Sequence, residues 1–183
     1  MHQIQDLAGI SPQELLDALG INGPPYDPFA IARRLDVDVN EAVDFDQIND
    51  SGRIRAENGK VYMWVNPLEA QYRRRFTAAH ELGHLIHDIL PKLKSHPDLD
   101  GFTDSHARSI RRDPTERRAD EFAAKLLMPG PDVLEQAKAY IAIQKQSDPD
   151  KKVERENLVL NLAEFFGVSR QAMDIRLKNL GIR

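Results

Sequence analysis

His80, Glu81 and His84 form the most reactive pattern in the chain, standing as His80-Glu81-Leu82-Gly83-His84 inside a long run of helical periodicity. Successive helical residues turn about 100°, so positions four apart differ by about 40° in direction and about 6 Å in height. His80 and His84 therefore aim their imidazoles the same way, spaced to grip one ion between them. By the same geometry Glu81 is rotated about 60° from His84, so its carboxylate flanks the ion without having to ligate it. A zinc ion held by two neutral imidazoles and one carboxylate keeps a position open for water, whose pKa falls toward about 7. A neighbouring glutamate can take the proton from that water and later hand it to a leaving amine. Hydrolysis of a peptide bond is the chemistry this set implies.

The third ligand has to come from elsewhere in the chain. The elongated variant of the pattern requires a glycine three residues after the second histidine and another histidine three beyond it. Those positions are His87 and Leu90, which excludes that class. His87 lies one turn beyond the pair along a straight helix, too far to close around the same ion; support of a ligand or simple packing is its expected role. Glu116 is the leading choice, because Asp120 follows it by one helical turn on the same face. The two suit a metal ligand and an acceptor that takes the N–H of a ligand imidazole. Glu116 also occupies the third position of a helix opened by Asp113-Pro114, where a capping-box glutamate belongs, and that use stays open. Glu121, Asp113 and Asp104 are the reserve carboxylates.

The elements that must position these groups are legible in outline. Asn66-Pro67-Leu68-Glu69 reads as N-cap, first-turn proline and N3 glutamate, so the site helix is expected from Pro67 to about Asp88. Phe76, Ala79, Leu82, Gly83 and Ile86 supply its apolar face. Gly83 costs about 1 kcal/mol against alanine inside a helix, which predicts close approach of another element behind the metal. Gly52–Glu57 and Lys60–Val65 flank Asn58-Gly59 and predict a β-hairpin, with Tyr62 and Trp64 as packing residues. The hairpin strand before the helix is expected to bind an extended segment by strand addition. Ser11-Pro12-Gln13-Glu14 predicts a capped helix through Leu19, Asp27-Pro28 another, and Val37-Val39 a weak strand. Arg73, Arg74 and Arg75 are expected to form a solvated face. Residues 91–113, with His96 and His106, read as a long connection able to serve as a cleft wall or lid. Helices are expected from Asp113-Pro114 through Leu127, from Asp132 to Lys145, from Glu154 to Phe166 and from Arg170 to Asn179, with a polar linker over 146–152.

Composition bounds the answer. The 183 residues, 41% hydrophobic and 30% charged, suit one soluble domain spanning 1–183, with a core of about 25–145 and a helical tail of about 152–183. A net charge of −4 argues against nucleic-acid binding as the main activity. The absence of cysteine removes disulfides, thiolate ligands and cysteine nucleophiles. No apolar run approaches the roughly 18 residues of a membrane span, and a cytoplasmic address is the expectation.

Arg75-Phe76-Thr77-Ala78-Ala79-His80-Glu81-Leu82-Gly83-His84 resembles the active-site stretch of the ImmA/IrrE family of metallopeptidases. So do Glu116-Arg117-Arg118-Ala119-Asp120-Glu121-Phe122-Ala123, Leu126-Leu127-Met128-Pro129, the upstream Gly52-Arg53-Ile54 and the tail Phe166-Gly167-Val168-Ser169. The likeness covers most of residues 25–180. It departs at Asp120, where the family often has asparagine. The resemblance implies an α+β, zincin-like fold in which a small antiparallel sheet or hairpin packs on an active-site helix, followed by C-terminal helices. It implies zinc held by the residues matching His80, His84 and Glu116 in a gluzincin-like set, with Glu81 as general base and Asp120 behind a ligand. The implied partner is a protein substrate, a helix-turn-helix transcriptional repressor. The rival is a non-catalytic or toxin-like regulator that uses the C-terminal helices on a repressor or on DNA, since Leu162–Asn179 resembles helix-turn-helix spacing. Asp174 and the overall acidity weigh against direct DNA binding.

Overall fold

The computed structural model describes residues 4–95, 102–104, 113–147, 150 and 152–182. His96 and His106 lie outside them. The chain opens with α1 (Pro12–Ala18), where Ser11 and Glu14 form the expected reciprocal cap: the Ser11 N–H donates to Glu14 Oε2 at 2.7 Å and Ser11 Oγ accepts the Glu14 N–H at 3.3 Å. Asp27 caps α2 (Pro28–Arg34), whose first-turn proline needs no hydrogen-bond partner for a backbone N–H. Then come β1 (Val37–Asn40), β2 (Gly52–Glu57) and β3 (Lys60–Val65). Asn58 and Gly59 take positive φ values of 51° and 71°, which lets the two-residue loop follow the strands' twist.

The sheet order is β1-β3-β2-β4, with β4 at Phe102–Asp104. β1 runs parallel to β3; the other two pairings are antiparallel. β3 therefore has both edges occupied. The expectation that the strand next to the site helix adds a peptide strand is corrected by this order, because that strand has no edge left to offer. Val61, Met63 and Val65 face the core, while Tyr62 and Trp64 lie on the opposite face. Tyr62 sits under the Arg55 guanidinium at 5.1 Å, and Trp64 donates its Nε1–H to Ala42 O at 2.9 Å.

The site helix, α3 (Gln71–His84), starts later than Asn66-Pro67 predicted, behind Ala70 with no side-chain cap. Asn66 is spent elsewhere: its Oδ1 accepts the Leu68 N–H and its amide donates to Ile48 O and Asp50 O. Glu69 likewise accepts from Ser51 Oγ and Arg73 instead of capping. Beyond His84 the rod continues as a π-helical turn (Leu85–Ile89) and α4 (Leu90–Ser95), so the connection predicted from residue 91 begins as helix. Pro91 explains the break. It has no N–H and crowds the preceding turn, so the helix widens, the Leu90 N–H reaching back to Leu85 O, and restarts with the proline in its first turn.

Opposite α3 lies α5 (Pro114–Leu127), capped by Asp113, which accepts from the Thr115 N–H at 3.0 Å. The approach behind the site is as close as Gly83 predicted: a Cβ there would stand 3.0 Å from Ala119 Cα. α6 (Gly130–Ser147) extends past the expected Lys145 into the predicted linker. α7 (Arg155–Phe166) and α8 (Arg170–Asn179) are joined by Gly167, left-handed at φ 64°, and by Ser169, which caps α8. Arg75 is no solvated residue. It donates to Gly167 O at 3.1 Å and to Tyr26 O at 2.7 Å, fastening the C-terminal end of α7 and the loop before α2 to α3.

Candidate metal centre

One turn of α3 and the first turn of α5 build the centre. His80 and His84 point across the gap to Glu116, which α5 presents from its N-terminal end. Glu116 Oε2 lies 3.4 Å from His80 Nε2, and Glu116 Oε1 lies 3.4 Å from His84 Nε2. From its place in the first turn of α5, Glu116 thus faces both histidines. Ligand atoms of the three residues all fall within 4.8 Å of one another. The two Nε2 atoms stand 2.9 Å apart.

The Nδ1 atoms decide what that short separation means. His80 donates its Nδ1–H to Asp120 Oδ1 at 2.9 Å, and His84 donates its Nδ1–H to Asp88 Oδ2 at 3.0 Å. An ionised carboxylate only accepts, so each neutral ring carries its proton on Nδ1 and its lone pair on Nε2. With both rings neutral, two lone pairs and a carboxylate face one point, an arrangement suited to a bound cation. Bonds of about 2.0–2.1 Å in a tetrahedral zinc site give ligand–ligand edges of about 3.3 Å, close to the separations from each histidine to Glu116. The donor set fits a four-coordinate metal ion. His80, burial of which favours the neutral ring, nevertheless has its pKa raised above 6.5, because the Asp120 hydrogen bond and the charges of Glu81, Asp120 and Glu116 outweigh desolvation.

Glu81 is buried beside this set, at the inner end of a cleft of about 870 Å³. Gly52, at the start of β2, makes room for it: a Cβ on that residue would stand 2.4 Å from Thr77 Cγ2 and 3.4 Å from Glu81 Oε1. The cleft runs from His80 past Phe76 and Ala124 to α8, where Ala172 and Ile175 form the far wall. Arg176 fixes that wall by donating from Nε to Met128 O at 2.8 Å, and Lys178 pairs with Asp174 at 2.5 Å. Two basic residues of α8 are thus engaged within the molecule.

The five residues singled out in the sequence, His80, Glu81, His84, Glu116 and Asp120, are brought together. Of the reserve carboxylates, Asp113 caps α5 and Glu121 lines the cleft while pairing with Lys125 at 3.5 Å; the side chain of Asp104 lies outside the described residues. His87 packs edge-on against Phe122, with ring centroids 5.4 Å apart, and does not join the centre. Sequence reasoning missed Asp88, although it stands four residues after His84, the same helical interval that ties His84 to His80. It also missed Arg118, the other partner of Asp88, and the contribution of α8 to the cleft.

Among the described residues no helix is long and apolar enough to cross a membrane. No curated protein matches the chain. Residues 32–178 match the profile of the IrrE N-terminal-like domain, a peptidase family, and that span takes in both histidines, Glu81, Glu116 and the cleft-lining α8. With the donor set and the cleft both inside the matched region, the chain belongs to the IrrE N-terminal-like family of metallopeptidases.

Proposed function

We propose that this protein is a zinc-dependent endopeptidase that cuts a protein partner, with His80, His84 and Glu116 as zinc ligands and Glu81 as general base. The observation that carries the proposal is the convergence of two Nε2 lone pairs and the Glu116 carboxylate at the head of a cleft that also contains Glu81. Zinc bound there would polarise the scissile carbonyl and acidify a water molecule. Glu81, fixed in a buried position beneath Gly52, takes the proton of the attacking water. It then returns that proton to the departing amine nitrogen as the C–N bond breaks and the new C–O bond completes the acid. Asp88 and Asp120 hold the imidazole protons on Nδ1 throughout. The cleft admits an extended segment between α3 and α8.

The partner we assign is a helix-turn-helix transcriptional repressor; this rests on the likeness to the ImmA/IrrE family, as does a gluzincin-like arrangement. A regulator acting through the C-terminal helices alone is the rival reading, and the engagement of Arg176 and Lys178 within the molecule speaks against it. Metal content and cleavage separate the two. Wild type is expected to hold about one zinc per chain and to cut the repressor. Glu116→Gln is expected to lose or weaken zinc binding, and Glu81→Gln to retain zinc but lose cleavage. An active Glu81→Gln protein would remove the assigned base, and a zinc-free wild type after reconstitution would remove the enzyme reading.

A further inference from the structure

Asp88 is a buried carboxylate that the hydrolytic step leaves without a part in the reaction. Its two oxygens are divided between two elements. Oδ2 accepts the Nδ1–H of His84 at 3.0 Å, and Oδ1 accepts from the guanidinium of Arg118 on α5. His84 is wholly enclosed, with a side chain 0% exposed, and the Asp88 side chain is only 9% exposed. A carboxylate this deep needs partners for both oxygens, and Arg118 supplies a charged donor to the one that His84 does not use. The acceptor behind His84 therefore depends on a residue reaching in from the neighbouring helix.

We infer that Asp88 and Arg118 form a clamp that positions His84 for the metal. This rests on the reading of His84 as a zinc ligand. Arg118 holds one oxygen of Asp88, so the other is aimed at His84 Nδ1. That bond fixes the ring's orientation and tautomer, leaving the Nε2 lone pair directed at Glu116 and His80. Arg118 stands two residues after Glu116, so the opening of α5 provides both a ligand and the anchor for its opposite number. The close packing of Gly83 on Ala119 fixes the two helices at that height. Asp120, behind His80, has no such enclosure: its side chain is 59% exposed. Asp88 and Arg118 are positioning residues; neither touches the ion or the substrate.

Asp88→Asn sharpens the test, because the amide nitrogen that replaces one carboxylate oxygen only donates and leaves either the His84 N–H or Arg118 facing a donor. The experiment measures zinc affinity of the full chain by competition with a chromophoric chelator, for wild type, Asp88→Asn, Arg118→Ala and Asp120→Asn. Asp88→Asn is expected to weaken zinc binding by about 10–100-fold, with smaller losses for Arg118→Ala and Asp120→Asn. In parallel, the imidazole nitrogen resonances of His84 are recorded in the zinc-free protein. The Nδ1–H tautomer is expected to dominate in wild type and to give way to a mixture in Asp88→Asn. Zinc affinity within about twofold of wild type in both Asp88→Asn and Arg118→Ala, or an unchanged His84 tautomer in Asp88→Asn, would overturn the clamp. If Asp88→Asn fails to fold, the half-exposed Arg118→Ala decides by the same two measurements. If wild type binds no zinc at all, the enzyme reading falls, while the tautomer of the zinc-free protein still decides whether the clamp exists.

Discussion

The two imidazoles of the centre are chemically alike and structurally unequal. His84 is sealed between α3 and α5, with a buried carboxylate behind it and an arginine behind that. His80 lines the cleft, and its carboxylate, Asp120, faces solvent. Water competes for Asp120 but hardly at all for Asp88, so equal hydrogen-bond lengths do not imply equal strength. The inner histidine serves as a fixed post, and the outer one meets whatever enters the cleft.

The largest expected effect tests both sides together. Stripping zinc from protein held at about a thousandfold above the dissociation constant removes about 4 kcal/mol of stability, a fall in Tm of roughly 8–16 °C. Thermal melts with and without chelator measure it, and the fall should be smaller in Asp88→Asn, whose hold on zinc is already weaker. Asp88→Ala comes next. It leaves the His84 N–H and Arg118 facing a gap, at a cost of about 3 kcal/mol in the zinc-free fold, visible as a lowered urea midpoint. The matching change on the outer side, Asp120→Ala, is expected to cost at most about 1 kcal/mol in the same titration, because the pair it breaks is exposed. Equal costs for the two alanine variants would erase the distinction between inner and outer histidine.

The smallest effect is a pH dependence. The His80 pKa is raised in the folded, zinc-free protein, so its proton contributes stability that is fully present below about pH 6.5 and lost as pH rises through the folded value. Zinc must displace that proton, so affinity falls as the pH drops below the folded value. Nuclear magnetic resonance titration of the zinc-free Asp120→Asn protein should show the His80 midpoint moving downward, with no comparable movement for Asp88→Asn.

What the sequence disclosed and what it withheld divide along a physical line. The His80–His84 interval, the Asn58-Gly59 turn, the Ser11 cap and the Gly167–Ser169 junction are set by neighbours within about four residues, and each is in place. The place of Glu116 took more. Spacing offered it two employments, and the packing of α5 on α3 adds that its carboxylate stands 3.4 Å from each imidazole. Asn66 and Arg75 were misread for the opposite reason: their side chains chose partners far along the chain, Ile48 and Asp50 for one, Gly167 and Tyr26 for the other. A local pattern cannot announce a distant carbonyl. The helix end expected near Asp88 is instead a widened turn followed by α4, which periodicity alone does not reveal.

One consequence follows from the way α8 is hung. Arg75 holds the last carbonyls of α7 and Arg176 holds Met128, so α8, with Ile175 on the cleft wall, is tied to the rest of the fold from both sides. That wall belongs to a stretch that contributes none of the residues of the candidate centre. If the proposed peptidase reading holds, substitutions of Ala172 or Ile175 on that wall would alter which segments enter without touching the candidate centre, so selectivity and chemistry would be adjustable one at a time.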